Sequence, residues 1–203
     1  MILTNPMLTS SSAFVGVHLS SGRKPYTFAL LDDDLNLKAR ANGEVKDLAA
    51  ILSEFDSVIV CISANAKSRS PKSANINAVL FEQLKKMSFR PFPAQNEIHQ
   101  WFKTVANESF SALLKKKLLG RRTLEGRIQR ALALYDQGLR IDDPMEFFEE
   151  ITRYKLMQGI LPVENLYTSN ELDALVAAYV AWTTANKPGQ FIVKGEFFLP
   201  SEE

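Results

Sequence analysis

Between Phe14 and Ala41 the chain carries three short strand-like runs whose connections are too short for a crossover, so they must pair as an antiparallel meander. Phe14-Val15-Gly16-Val17-His18-Leu19 is mostly apolar and rich in β-branched residues, Ser20 to Pro25 is a turn cluster, and Tyr26 to Leu31 is a second apolar run. Asp32-Asp33-Asp34 makes a tight acidic turn, after which Leu35 to Ala41 alternates apolar and polar in the manner of a half-exposed strand. Leu48, Ile51, Leu52 and Phe55 at helical spacing predict a helix over 46–54, and Val58 to Ile62 reads as a buried strand. A helix between the third and fourth strands implies a crossover and parallel pairing. The expected class is therefore α/β, with a mixed central sheet (antiparallel three-strand meander, then parallel strands) flanked by helices.

Farther along, 63–75 is rich in Ser, Ala and Asn with Lys67, Arg69 and Lys72 and no acid, and reads as a basic loop. A helix is expected over 76–87, an extended passage at Pro91 and Pro93, and a weakly patterned fifth strand within 98–106. Helices follow over 109–119 and 124–139, the latter stopped near Gly138, and over 144–157, opened by Pro144. Thr168-Ser169-Asn170-Glu171 is a capping box that starts a last helix running to about Ala185. Phe191-Ile192-Val193 is a short closing strand.

With 203 residues, 46% of them hydrophobic, the chain suits one domain over 13–203 behind a flexible leader over 1–12. The leader lacks the basic and apolar regions of a secretory signal, and no run reaches the 18 or so apolar residues of a membrane span. The single cysteine, Cys61, lies in an apolar strand, which excludes an intrachain disulfide and suits a reducing compartment; a cytoplasmic protein is expected. A formal net charge of +1 gives no global field toward nucleic acid or membrane. No Cys/His spacing suits zinc, and neither a phosphate-cradling Gly-rich loop nor a nucleophile elbow is present.

Three features could carry chemistry. Asp173, expected in the first turn of the last helix, shares a face with Ala177, Val180 and Ala181, small enough to lie against a sheet and to aim the acid at a cleft. Glu108 follows the fifth strand, where α/β sheets place their sites. From 109 to 135, Lys115, Lys116, Lys117, Arg121, Arg122, Arg127 and Arg130 stand against only Glu125, a surface that could attract phosphates or pack on the acidic segment after it.

Four stretches in this order resemble the predicted-nuclease family known as domain of unknown function 429. Gly16-Val17-His18-Leu19-Ser20 is similar to its first-strand signature of Gly, Ile or Val, then Asp. Val58 to Asn65 is similar to its buried strand ending Ile-Asp-Ala-Pro, here Ile62-Ser63-Ala64-Asn65. Glu108 and the run Gly120 to Arg130 resemble its middle acid and basic helix, and Glu171 to Ala178 its last helix, with Pro200 as its terminal proline. The resemblance spans about 13 to 200 and implies an RNase H-like fold. In such nucleases clustered carboxylates hold divalent metals that activate water. Glu108 and Asp173 would be the retained acids and metal ligands. His18 and Ser63 stand at positions where the family keeps acids, and a further acid aligns near Asn75.

His18 is a poor ligand for Mg²⁺ and a better one for Mn²⁺ or Zn²⁺. The resemblance thus implies a catalytically degenerate RNase H-like protein with a binding or unknown role. One alternative is an active phosphodiesterase using Glu108, Asp173 and His18 around Mn²⁺ or Mg²⁺. Another is a nucleic-acid-binding module using Lys115, Lys116, Arg121, Arg122, Arg127 and Arg130. Self-association is compatible with all three readings.

Overall fold

The computed structural model describes residues 12–20, 24–63, 71–92, 98–146, 148, 156–159 and 166–201. Its strands are β1 (Ser12–Leu19), β2 (Tyr26–Leu31), β3 (Leu37–Gly43), β4 (Ser57–Ser63), β5 (Arg90–Pro91), β6 (His99–Thr104), β7 (Phe191–Lys194) and β8 (Phe197–Pro200). They form one mixed sheet in the order β3-β2-β1-β4-β6-β8-β7, with β5 beside β6. The first three strands are the expected antiparallel meander. β1–β4, β4–β6 and β6–β8 are parallel, and β7–β8 closes the far edge as a hairpin.

The two-residue period of β1 sends its side chains to two cores. Ala13, Val15 and Val17 meet Leu48 and Leu52 of α1 (Val45–Leu52) and Leu80 and Leu84 of α2 (Pro71–Lys86). Phe14 points the other way, toward α3 (Ala106–Leu114), α4 (Leu124–Asp136) and above all α5 (Ser169–Asn186). α5 is buried without a break from Leu172 to Ala181, because it lies between the sheet on one side and α3 and α4 on the other. A helix in that position has no solvent stripe and is apolar on all sides. Each large side chain it buries contributes about 1.5–3 kcal/mol.

Gly16 permits this arrangement. A Cβ there would lie 1.9 Å from the Ala174 carbonyl oxygen and 2.3 Å from the Ala178 nitrogen, so α5 rests directly on the β1 backbone. The entry to α5 is held as its sequence requires: the Glu171 N–H donates to Thr168 Oγ1 at 3.2 Å, and the Thr168 N–H donates to Glu171 Oε2 at 2.7 Å. Thr168→Ala removes one of these bonds and should cost about 1 kcal/mol, read as a lower urea midpoint with an unchanged slope. An unchanged midpoint would mean that packing alone seats α5.

Several boundaries differ from expectation. Ser12, expected at the end of the leader, is the first residue of β1 and pairs with Ser57; residues 1–11 of that leader lie outside the described residues. α2 begins at Pro71, five residues before the expected 76, because proline suits a first helical turn. The loop expected over 63–75 is thus shorter, and its residues 64–70 lie outside the described residues. α3 spans 106–114 instead of 109–119. Lys115 turns left-handed (φ 52°), and α4 then captures the chain after it: Gln129 bonds the Leu119 N–H and the Lys117 carbonyl, and Arg130 bonds the Leu119 carbonyl. Most of the helix expected over 144–157 lies outside the described residues; Leu156–Gln158 is a single 3-10 turn. β8, unforeseen, uses the Phe198-Leu199-Pro200 segment, and Phe198 packs against Phe92, Phe102 and Phe191.

The acidic turn is structural. Asp32 accepts from the N–H groups of Asp34 and Asn36 and pairs with Lys38, while Trp182 donates to the Asp33 carbonyl. Cys61 is fully buried, and burial pushes its thiol well above the usual range.

Candidate functional site

The apolar alternation facing α5 is interrupted along one line across the sheet. His18 is in register with Thr27 on β2 and Ser63 on β4; Thr27 is in register with Asn42 on β3, and Ser63 with Thr104 on β6. His18, Thr27, Ser63 and Thr104 are all buried. Their strand parity is that of Phe14, Ala29, Cys61 and Phe102, which belong to the α5 core. This polar row lies at the carboxyl ends of the parallel strands β1, β4 and β6, the end at which open α/β sheets bind ligands. Its outer members are satisfied locally: the Thr27 hydroxyl meets Asn42 Oδ1 at 2.5 Å, and the hydroxyls of Thr104 and Ser109 share a bond of 2.8 Å.

Above the middle of the row stands Asp173, in the second turn of α5 and 4% exposed; Glu171 is the acid of the first turn. Two donors of Arg121 converge on Asp173 Oδ2, Nε at 2.9 Å and Nη2 at 2.5 Å. His18 Nδ1 lies 3.4 Å from the same oxygen, close enough to attract but without hydrogen-bond geometry. Asp173 Oδ1 is buried with no partner among the described residues. Burial holds the His18 imidazole below its ordinary 6.5; the pull of Asp173 opposes this, and Arg121 adds to it. Near neutral pH the His18 imidazole is therefore neutral beside the Asp173–Arg121 ion pair.

The loop carrying Arg121 is held at both ends. Gly126 lets the Gly120 carbonyl approach the first turn of α4, where a Cβ would lie 1.9 Å from that oxygen. Thr123 caps α4 by accepting from the Gly126 N–H, and its own N–H donates to Gly120. Arg121 also donates to Asn170 Oδ1 and to the Ser169 carbonyl, and Ser169 Oγ donates back to the Arg121 carbonyl. The loop is thereby clamped onto the start of α5.

The expected site residues separate into two groups. His18, Ser63, Asp173 and Arg121 come together, whereas Glu108 sits exposed on α3. Among the described residues no three His, Cys, Asp or Glu side chains gather in a way that could hold a metal ion, so His18, Glu108 and Asp173 form no such trio. The basic stretch is not one surface. Arg130, expected to bind phosphate, is 2% exposed; its guanidinium donates to the carbonyls of Leu119 and Gly126 and to Asn107 and lies 5.5 Å from the Phe110 ring centroid. Arg127 donates to the carbonyls of Leu166 and Tyr167, which tethers the approach to α5. Lys115, Lys116 and Arg122 are exposed. The Asn75 side chain lies outside what is described. Thr27, Thr104, Ser109 and Asn170 were not foreseen, since only strand register and the docking of the 120–123 loop bring them to the site.

The chain matches no known family model and none of the curated protein sequences.

A divalent metal, as the nuclease resemblance would require, does not fit these residues. The strand-end positions of β1 and β4 carry His18 and Ser63, neither of them an acid, and the one carboxylate beside them, Asp173, already bears a guanidinium on one oxygen. The other oxygen and His18 Nδ1 would supply two ligands at most, next to a fixed positive charge that repels a cation.

Proposed function

We propose that this chain is a catalytically degenerate RNase H-like protein that acts by binding and not by hydrolysis. The antiparallel meander followed by parallel strands, with the strand order β3-β2-β1-β4-β6, supports the fold half of this reading. The polar row at the strand ends supports the placing of a former site there.

One observation carries the functional half. Arg121 occupies the position of a counter-ion to Asp173, so the carboxylate best placed to hold a metal is neutralised from within the protein. The guanidinium keeps its charge at any working pH, so it is a permanent stand-in for a dication. Where a metal would lower the pKa of a bound water, an arginine offers only hydrogen bonds, and no hydroxide nucleophile is generated.

The test is direct. Purified protein incubated with Mn²⁺ or Mg²⁺ and labelled single- and double-stranded DNA and RNA should give no cleavage above a protein-free blank. Electron paramagnetic resonance titration should leave Mn²⁺ free in solution. Mn²⁺-dependent cleavage that Asp173→Asn abolishes would overturn the proposal.

A further inference from the structure

A cleft lies beside the entry to α5, where Arg40 pairs with Glu171. The segment after α4 turns tightly at Arg140, where the Ile141 N–H donates to the Leu139 carbonyl, and touches the start of the meander's edge: the Arg140 N–H donates to the Leu35 carbonyl at 3.0 Å, and Arg140 bridges to Asn36. Between this segment and β3 opens a cleft of about 780 Å³, within the size range of small-molecule sites. Leu37, Leu139 and Ile141 supply its apolar lining.

The polar lining is what suggests a ligand. Arg40 is already committed: it pairs with Glu171 at 3.2 Å and stacks over the Tyr167 ring at 4.7 Å, so it is a fixed plate on the cleft wall. Arg140 and Asp142 are different. Both are exposed, two residues apart, and neither has an ion-pair partner among the described residues. Tyr135 adds an aromatic ring, 40% exposed. Among the described residues the cleft thus holds a guanidinium and a carboxylate without ion-pair partners and a partly exposed ring.

We propose that this cleft binds a mononucleotide. The phosphate would sit on Arg140, whose planar donors match phosphate oxygens. Asp142, an acceptor only, takes the ribose hydroxyls. The base lies flat against Tyr135, a contact that every base can make through its π-face. An oxyanion alone would leave Asp142 and the ring unused, and a purely apolar ligand would leave Arg140 unpaired. The site is separate from the His18–Asp173 centre and does not depend on the reading given for it.

Calorimetric titration with AMP, adenosine and inorganic phosphate tests the assignment. AMP should saturate the protein with a Kd of about 1 mM or tighter, and adenosine and phosphate should each bind about tenfold more weakly or worse. Arg140→Gln should weaken AMP about tenfold with no change in thermal midpoint, since its side chain is exposed and its backbone bond is kept. Asp142→Asn should weaken AMP and leave the response to inorganic phosphate unchanged. No saturation by AMP, equal affinity for adenosine and AMP, or an affinity indifferent to Arg140→Gln would each overturn the proposal.

Discussion

Gly16→Ala should be the most damaging single-methyl change available to this protein, lowering stability by about 3 kcal/mol or more. The added Cβ would be driven to 1.9 Å from one backbone atom of α5 and 2.3 Å from another. Neither belongs to a side chain that could rotate away. Relief requires α5 to back off the sheet, which loosens the contacts from Ala174 through Ala181, all of them buried. Overpacking a core ordinarily costs about 1–3 kcal/mol, and a clash with backbone on both sides belongs at or above the top of that range. For a chain of this length the loss corresponds to a fall in thermal midpoint of about 6–12 °C. Given a total stability of about 5–15 kcal/mol, the variant is expected in inclusion bodies, or in soluble form only at reduced temperature. A loss under about 1 kcal/mol in urea unfolding would show that α5 does not rest on β1.

Asp173→Asn should be nearly as costly, and its cost should depend on pH. The substitution keeps the shape but leaves Arg121 without its counter-ion and turns an acceptor into a group that can present N–H donors to other donors. Breaking a buried ion pair from one side costs about 3–5 kcal/mol; Arg121 keeps 26% of its side chain exposed and can be partly hydrated, so about 2–3 kcal/mol is expected. Arg121→Gln combined with Asp173→Asn should lose less than the sum of the two single losses, because both remove the same interaction. Strict additivity of the two would count against a coupled pair.

The pH dependence follows from His18, whose folded pKa lies below 6.5 because of burial. Well above 6.5 neither folded nor unfolded chain holds a proton there, and this group adds no slope. As the pH falls below 6.5 the unfolded chain takes up a proton that the folded one refuses, so stability declines until the folded pKa is reached. Asp173 is the group that pulls His18 upward, and without it the folded value drops further. The Asn variant should therefore lose more stability between pH 7 and pH 5 than the parent does. Urea midpoints at the two pH values measure this, and parallel acid limbs would contradict it.

Much of the fold could be read from residue order because it rests on local rules. The meander follows from strand-like runs joined by short turns, with Tyr26–Leu31 at its expected bounds. The α5 start follows from Thr168 and Glu171, whose capping box needs only a spacing of three. The boundaries that moved were decided by longer-range forces: α3 ends at Leu114 because Gln129 and Arg130, more than ten residues away, take the polar groups of the following chain. β8 joins the sheet beside β6, nearly a hundred residues earlier in the chain, a pairing without any local signal.

The candidate site divides in the same way. The chemical types at its centre, a histidine and a serine at strand ends and an acid on a small-residue helix, are a property of the sequence, and alternation alone places His18 on the same side of β1 as Gly16. What these residues do was settled by tertiary structure. A charge-rich stretch has no preferred partners until it is folded; here packing buried Arg130, tied Arg127 to backbone carbonyls and brought Arg121 onto Asp173. The strand run from Phe14 to Leu19 was thus determined by local pattern, its start at Ser12 by pairing with Ser57, and the neutralised acid above its end by long-range packing, because the Coulomb attraction that makes the centre acts across 52 positions of sequence and over less than 3 Å of space.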